Sequence, residues 1–122
     1  MKQLNLGKSG LEVSAVGLGT DTFGHVDKPT AKKIIGAASD MGITLIDTAY
    51  LYGGGKSEEF IGSSIAGRRD DFVIATKGGH HAHGAPNRSN LIKQLDISLK
   101  RLNTDYVDLY QAHRFDTETP LE

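Results

Sequence analysis

The chain contains no cysteine and no tryptophan, and it has only three prolines. It also has no apolar run long enough to span a bilayer. Without thiols the fold rests on neither disulfides nor thiolate-bound metal, which suits a reducing compartment, and the expectation is a cytoplasmic protein. An excess of charge is missing too. The 14 Lys and Arg residues stand against 15 Asp and Glu, so nothing draws the chain to nucleic acid or to an anionic membrane. The amino terminus has no signal-peptide hydrophobic stretch. No linker or low-complexity segment divides the 122 residues, and they form at most one domain.

Glycine is what the chain has in quantity. Its 15 glycines fall largely where apolar runs end, as tight turns and close backbone approach to a ligand require. Residues 2–15 read as a hairpin, with Gln3–Leu6 and Leu11–Ser14 alternating around the turn Lys8-Ser9-Gly10. Ala15–Gly19 reads as a first core strand, followed by a loop from Thr20 to Val26. Asp27 caps a helix with Pro29 in its first turn, Ile34, Ile35, Ala38 and Met41 at helical spacing, and Gly42 as terminator. The strand Ile43–Ile46 follows.

A second helix starts at Ser57, with Glu58 and Glu59 at its positive end, Phe60, Ile61 and Ile65 on one face, and Gly67 at its close. Then come the strand Phe72–Thr76, a histidine-bearing loop Gly78–Asn87, and a helix capped by Ser89. That helix carries the stripe Leu91, Leu95, Leu99 and Leu102 and stops at Asn103 before the strand Tyr106–Ala112. The order β-α-β-α-β-α-β predicts parallel strands joined by right-handed helical crossovers.

Three of these strands deliver an ionisable group at their carboxyl ends: Asp47, Lys77 and His113. Side chains alternate along a strand, so Asp47 shares a face with Leu45 and Ile43, Lys77 with Ala75 and Val73, and His113 with Gln111 and Leu109. If those faces point the same way, the three groups converge, and Tyr52 on the Gly-rich loop folds back over them. A phenol yields its proton reluctantly at neutral pH. An adjacent ammonium makes the transfer easier, and an acid beside the ammonium holds it in place. An imidazole can hydrogen-bond a carbonyl oxygen and stabilise charge that develops there. The set suits carbonyl reduction, with a hydride arriving on carbon and a proton on oxygen. Taken singly, each residue also has a structural reading: Asp47 as a loop cap, Lys77 as a solvated charge, His113 as a satisfied core histidine.

Other candidates carry less. His80-His81-Ala82-His83 has the look of a metal cluster, but no second group of ligands accompanies it. Gly17-Leu18-Gly19 lacks the later glycine and immediate helix of a dinucleotide fingerprint. Arg68-Arg69-Asp70-Asp71 reads as a solvated turn, and Tyr50 and Tyr110 as packing residues.

Taken together, the sequence resembles the amino-terminal part of an aldo-keto reductase. The matching pieces are Gly17-Leu18-Gly19-Thr20, Asp47-Thr48-Ala49 with Tyr52-Gly53, and Ala75-Thr76-Lys77. They continue in Leu99-Lys100-Arg101-Leu102 with Asp105-Tyr106-Val107-Asp108, leading to His113-Arg114. The resemblance implies a (β/α)8 barrel floored by the hairpin, a small carbonyl substrate and a nicotinamide cofactor, usually NADPH, with NADH the other option. It makes Tyr52 the general acid, tuned by Lys77 and Asp47, with His113 orienting the carbonyl; Gly19, Thr20 and Asp47 lie near the nicotinamide ribose.

A full barrel needs roughly 250 residues, with its phosphate site after strands seven and eight. The expectation is therefore the first half of a (β/α)8 TIM barrel, a single partial domain over residues 1–122, α/β with parallel strands and an amino-terminal hairpin. Thr119-Pro120-Leu121-Glu122 reads as the start of a further helix, as in a sequence cut short. Two alternatives stand beside the reductase: a non-catalytic nucleotide-binding or regulatory protein on the same scaffold, and a half-barrel that self-associates through its exposed strand edges.

Overall fold

The computed structural model describes residues 1–122. An antiparallel hairpin, β1 (Gln3–Asn5) and β2 (Glu12–Ser14), precedes four strands: β3 (Gly17–Gly19), β4 (Leu45–Asp47), β5 (Val73–Gly78) and β6 (Leu109–Ala112). These four form one parallel sheet in the order β3-β4-β5-β6. The crossovers are α1 (Lys28–Asp40), α2 (Lys56–Ser64) and α3 (Arg88–Leu102). Spatial order follows chain order without reversal, so the sheet winds continuously, as a barrel wall does, and has no switch point of the doubly wound kind. No helix is long and apolar enough to cross a membrane.

The core lies between the sheet and the helices. Ile46 and Ile74 point from adjacent strands into a buried cluster with Ala31 and Ile35 of α1, Ile61 of α2, Ile65 just beyond it, Phe72 and Leu102. Because pairing is in register, Ile46 opposite Ile74 and Asp47 opposite Ala75, the alternate residues share the other face. Gly17, Gly19, Leu45, Asp47, Ala75, Lys77, Leu109 and Gln111 therefore line the inner surface of the wall. That is the parity expected from the sequence.

Polar staples fix the amino-terminal end of the sheet. The Ser14 hydroxyl accepts from the backbone N–H of Thr44 at 3.0 Å and of Leu45 at 3.2 Å, and donates to the Val16 carbonyl at 2.6 Å. The hairpin is thereby tied beneath β3 and β4, as a barrel floor. On the other side, Arg69 donates to Asp108 at 2.7 Å and to the Phe72 carbonyl at 2.8 Å, and its guanidinium lies 4.0 Å from the centre of the Tyr106 ring. Asp108 also accepts from the Ile74 N–H at 2.8 Å. The turn read as solvated is thus a tie between β5 and the segment entering β6. β6 starts at Leu109, and the segment before it is held by Arg69 and by the backbone bond from Asp108 N–H to the Ile74 carbonyl.

Several boundaries and faces differ from expectation. The cap of α3 is Asn87, whose side chain accepts from the Asn90 N–H at 2.9 Å, and Ser89 lies inside the first turn. The buried side of α3 is Gln94, Ser98 and Leu102; Leu91, Leu95 and Leu99 are half-buried beside it, and Leu91 and Leu95 line an open groove with Tyr110, Pro120 and Leu121. In α1 the sheet takes Ala31, Ile35 and Ala38, leaving Ile34 and Met41 exposed. Residues 119–122 form no helix; the Thr119 hydroxyl bonds the Asp116 carboxylate instead. Four residues cannot complete the costly first turn.

Ile74, fully buried in the middle of the sheet, provides a test of this core. Ile74→Ala is expected to lower the unfolding free energy by about 2–5 kcal/mol, read as a reduced urea midpoint with unchanged slope.

Candidate active site

Lys77 is the centre of the site. Its position two residues beyond Ala75 puts it on the inner face, diagonally across from Asp47 on β4. The ammonium donates to both Asp47 oxygens, at 2.9 and 2.8 Å, and to the Thr48 carbonyl at 2.8 Å. Its remaining contact is the Tyr52 phenol oxygen at 3.4 Å. Asp47, Lys77 and Tyr52 are therefore joined through one nitrogen.

Tyr52 reaches that nitrogen because the loop after β4 is fixed at several points. Tyr50 N–H bonds the Lys77 carbonyl at 2.9 Å, and Tyr52 N–H bonds the Ala49 carbonyl at 3.1 Å. The chain then turns through Gly53 and Gly54, with φ of 60° and 65°, a region that L side chains avoid. Gly53 also packs on Gly24 in the loop after β3: a Cβ at Gly24 would lie 2.6 Å from the Gly53 Cα. Side chains at this crossing would push the two loops apart.

His113 comes from the end of β6, its N–H bonded to the Gly78 carbonyl at 2.7 Å. Its ring stands edge-to-face on Tyr52, with centroids 5.9 Å apart. Burial lowers its pKa from the usual imidazole value, and the nearby charges of Lys77, His80 and Arg114 add to this while Asp47 partly opposes it. Burial and the neighbouring positive charges thus favour the uncharged ring. Its Nδ1 is buried without a partner. A buried N–H with no acceptor is the less tolerated case, which favours the tautomer with its proton on Nε2.

The other expected site residues divide. Gly19 lies on the inner face opposite Asp47, with open space where a side chain would stand. Thr20 is wholly buried. Its hydroxyl is committed to the Asp47 carbonyl at 2.9 Å and to Ser57 at 2.8 Å, so it holds the backbone of Asp47 from behind the sheet. The histidine loop contains no group of three His, Asp or Glu residues placed to hold a metal ion.

Behind the inner face lie polar residues that hydropathy alone does not single out. Ser57 bonds both Thr20 and Thr48, the latter at 2.9 Å. Glu58 is fully buried: one oxygen accepts from the Thr76 hydroxyl at 2.6 Å and the other from Arg101 at 3.2 Å. Arg101 also donates to the Tyr50 carbonyl at 2.7 Å, with its guanidinium 4.6 Å from the centre of the Tyr50 ring. Read only as a favourable charge at a helix start, Glu58 also sits three and seven residues before Ile61 and Ile65. That spacing marks it as core-facing. Gln94 and Ser98 share the α3 stripe of Leu102 in the same way.

With four parallel strands wound in sequence and the polar groups gathered at their carboxyl ends, the fold is part of a (β/α)8 barrel. The chain belongs to the aldo/keto reductase family, whose family model matches residues 15–122. It is 41% identical over 134 aligned residues to "Aldo-keto reductase YhdN" of Bacillus subtilis (strain 168), covering all of this chain and 40% of that protein. It is 40% identical over 131 residues to "Probable voltage-gated potassium channel subunit beta" of Arabidopsis thaliana, with the same two coverages. Among solved structures it is similar to aldo-keto reductase AKR11C1 from Bacillus halodurans (holo form), with a TM-score of 0.90 at 36% identity over 99% of this chain and 43% of that one. The chain thus spans about two fifths of the length of the curated relatives it matches.

Two measurements follow. Arg101→Leu leaves the Glu58 carboxylate buried without its cation and is expected to cost about 3–5 kcal/mol in urea unfolding; a loss within the error of the melt would mean that the pair holds nothing. In an NMR titration, His113 should deprotonate below an unstructured histidine. Because the folded value is the lower one, the contribution of His113 to stability is intact above the unfolded value and is lost as pH falls through the folded one.

Proposed function

We propose that this site reduces aldehydes or ketones to alcohols with NADPH, or with NADH, as hydride donor. The observation that carries the reading is the Lys77 ammonium, which binds the Asp47 carboxylate and touches the Tyr52 phenol at 3.4 Å. The substrate carbonyl oxygen sits between the Tyr52 hydroxyl and the Nε2–H of His113. When bound, a reduced nicotinamide supplies the hydride that reaches the carbonyl carbon. As charge grows on the carbonyl oxygen, His113 donates to it and Tyr52 passes its proton to it, giving the alcohol. Lys77 then faces the phenolate, and Asp47 keeps the ammonium in place until a proton from water restores the phenol.

The residues on the inner face fit the cofactor's nicotinamide end. Gly19 leaves open space beside Asp47, and the Asp47 side chain keeps 41% of its surface exposed. These two would hold the nicotinamide ribose. Barrels of this kind place the phosphate site after strands seven and eight, so the chain itself would grip the cofactor at that end only. A non-catalytic role as a channel subunit, which the name of one relative suggests, has no need of an ammonium against a phenol, and that contact favours turnover. The lack of cysteine fits a cytoplasmic setting.

Loss of NADPH absorbance with a small aldehyde tests the reading. Tyr52→Phe is expected to cut turnover by roughly 10²–10⁴-fold while NADPH fluorescence still reports binding. Equal turnover in the variant would take the proton-donor role away from Tyr52.

A further inference from the structure

The contact between Lys77 and Tyr52 is the loosest that the ammonium makes. A lysine ammonium has three hydrogens, and three oxygens of Asp47 and Thr48 already lie within 2.9 Å of the Lys77 nitrogen. The Tyr52 phenol comes fourth, at 3.4 Å, beyond the usual limit of about 3.2 Å for such a bond. Lys77 therefore does not hold Tyr52 where it stands. The loop that carries the phenol does.

One nitrogen anchors that loop. Arg101 Nη1 donates to the Tyr50 carbonyl at 2.7 Å and to Glu58 at 3.2 Å. Its guanidinium crosses Gly55, where a Cβ would lie 2.5 Å from the central guanidinium carbon. The other Glu58 oxygen accepts from the hydroxyl of Thr76, the residue before Lys77, at 2.6 Å. The Tyr50 N–H closes the circuit on the Lys77 carbonyl at 2.9 Å. Tyr50, two residues before the phenol, is thus held at both its N–H and its carbonyl. Its ring stands edge-to-face to His83, centroids 6.2 Å apart. Gln94, almost wholly buried on α3, fixes that neighbour, accepting from the Gly79 N–H at 2.9 Å and donating to the His83 carbonyl at 2.9 Å.

We propose that Glu58 and Arg101 are positioning residues that set the distance between the Tyr52 phenol and the Lys77 ammonium. The inference rests on the carbonyl-reductase reading above and adds to it the pair that aims the proton donor. Both residues lie behind the inner face and act through Tyr50 and Thr76. An ion pair of this kind adds little net stability over a well-packed apolar substitute. A misplacement of about 1 Å at a reacting group, by contrast, costs on the order of 10²-fold in rate. Both Arg101 bonds leave a single nitrogen, and a lysine ammonium also carries its three hydrogens on one nitrogen. Lysine at this position should therefore make both bonds.

The test separates position from stability. The triple variant Thr76→Val, Glu58→Met, Arg101→Met makes every side chain of the network apolar, leaving no buried charge or hydroxyl unpaired, so its urea midpoint should stay near that of the parent chain. With benzaldehyde and NADPH, its kcat is expected to fall roughly 10²-fold while the KM for NADPH holds. In NMR, the nuclear Overhauser effect between the Tyr52 ring protons and the Lys77 CH2 beside the nitrogen is expected to vanish. Arg101→Lys alone is expected to keep both turnover and the Overhauser effect. A folded triple variant that keeps both overturns the proposal, and so does a folded Arg101→Lys that loses both. If the triple variant does not fold, Arg101→Gln, two atoms shorter but still a donor to Glu58, is read in its place by the same outcomes. If the parent chain does not oxidise NADPH with benzaldehyde, the reductase reading fails for this chain, and the Overhauser effect alone decides. Lost in the triple variant and kept in Arg101→Lys, it upholds the positioning role; kept in both or lost in both, it removes it.

Discussion

A carboxylate sealed from water must take all its hydrogen bonds from the protein, and Glu58 does so from two directions at once. Thr76, the residue before Lys77, binds one oxygen; Arg101 from the end of α3 binds the other and also grips the carbonyl of Tyr50, two residues before Tyr52. One buried anion thus sets the strand that carries the amine against the loop that carries the phenol. A buried ion pair adds little net stability against an apolar substitute. What it provides here is position.

The same division of labour runs through the chain. Groups on the inner face of the wall are free to meet a ligand, and groups behind it hold them still. Thr20, Thr48 and Ser57 tie the loops after β3 and β4 to the start of α2. Ser14 and the Arg69–Asp108 pair secure the opposite end of the sheet, where the hairpin lies. Gln94 does for the histidine loop what Arg101 does for the tyrosine loop. Most of these ties join parts of the chain far apart in sequence, so they form only once the crossovers have packed.

That separation explains what the sequence revealed and what it concealed. The alternation of side chains is a local rule, and it placed Asp47, Lys77 and His113 on one face correctly from three short strands. The glycine at position 53 marked the turn beyond the tyrosine for the same kind of reason. The supporting residues follow no local rule. Glu58, Gln94, Ser98 and Arg69 are polar, and composition assigns polar residues to the surface. Their burial depends on partners 15 to 43 positions away for the first, second and fourth, such as Arg101 for Glu58 and Asp108 for Arg69. Conversely, Ile34, Met41 and part of the leucine stripe of α3 have apolar side chains that the packed sheet does not reach. Thr20, which the resemblance put near the nicotinamide ribose, turns its hydroxyl to the far side of the sheet, onto the Asp47 carbonyl and Ser57.

The uneven wetting of the central ion pair has a consequence of its own. Lys77 retains 15% of its side-chain surface, but Asp47 retains 41%, so bulk solvent touches the negative partner more than the positive one. In high dielectric, charges a few ångströms apart feel each other only weakly, and the attraction grows several-fold when water leaves. A molecule lying against Asp47 therefore does more than occupy space. By drying the carboxylate it tightens the ammonium's hold on its surroundings, the phenol included, so that occupancy and polarisation rise together.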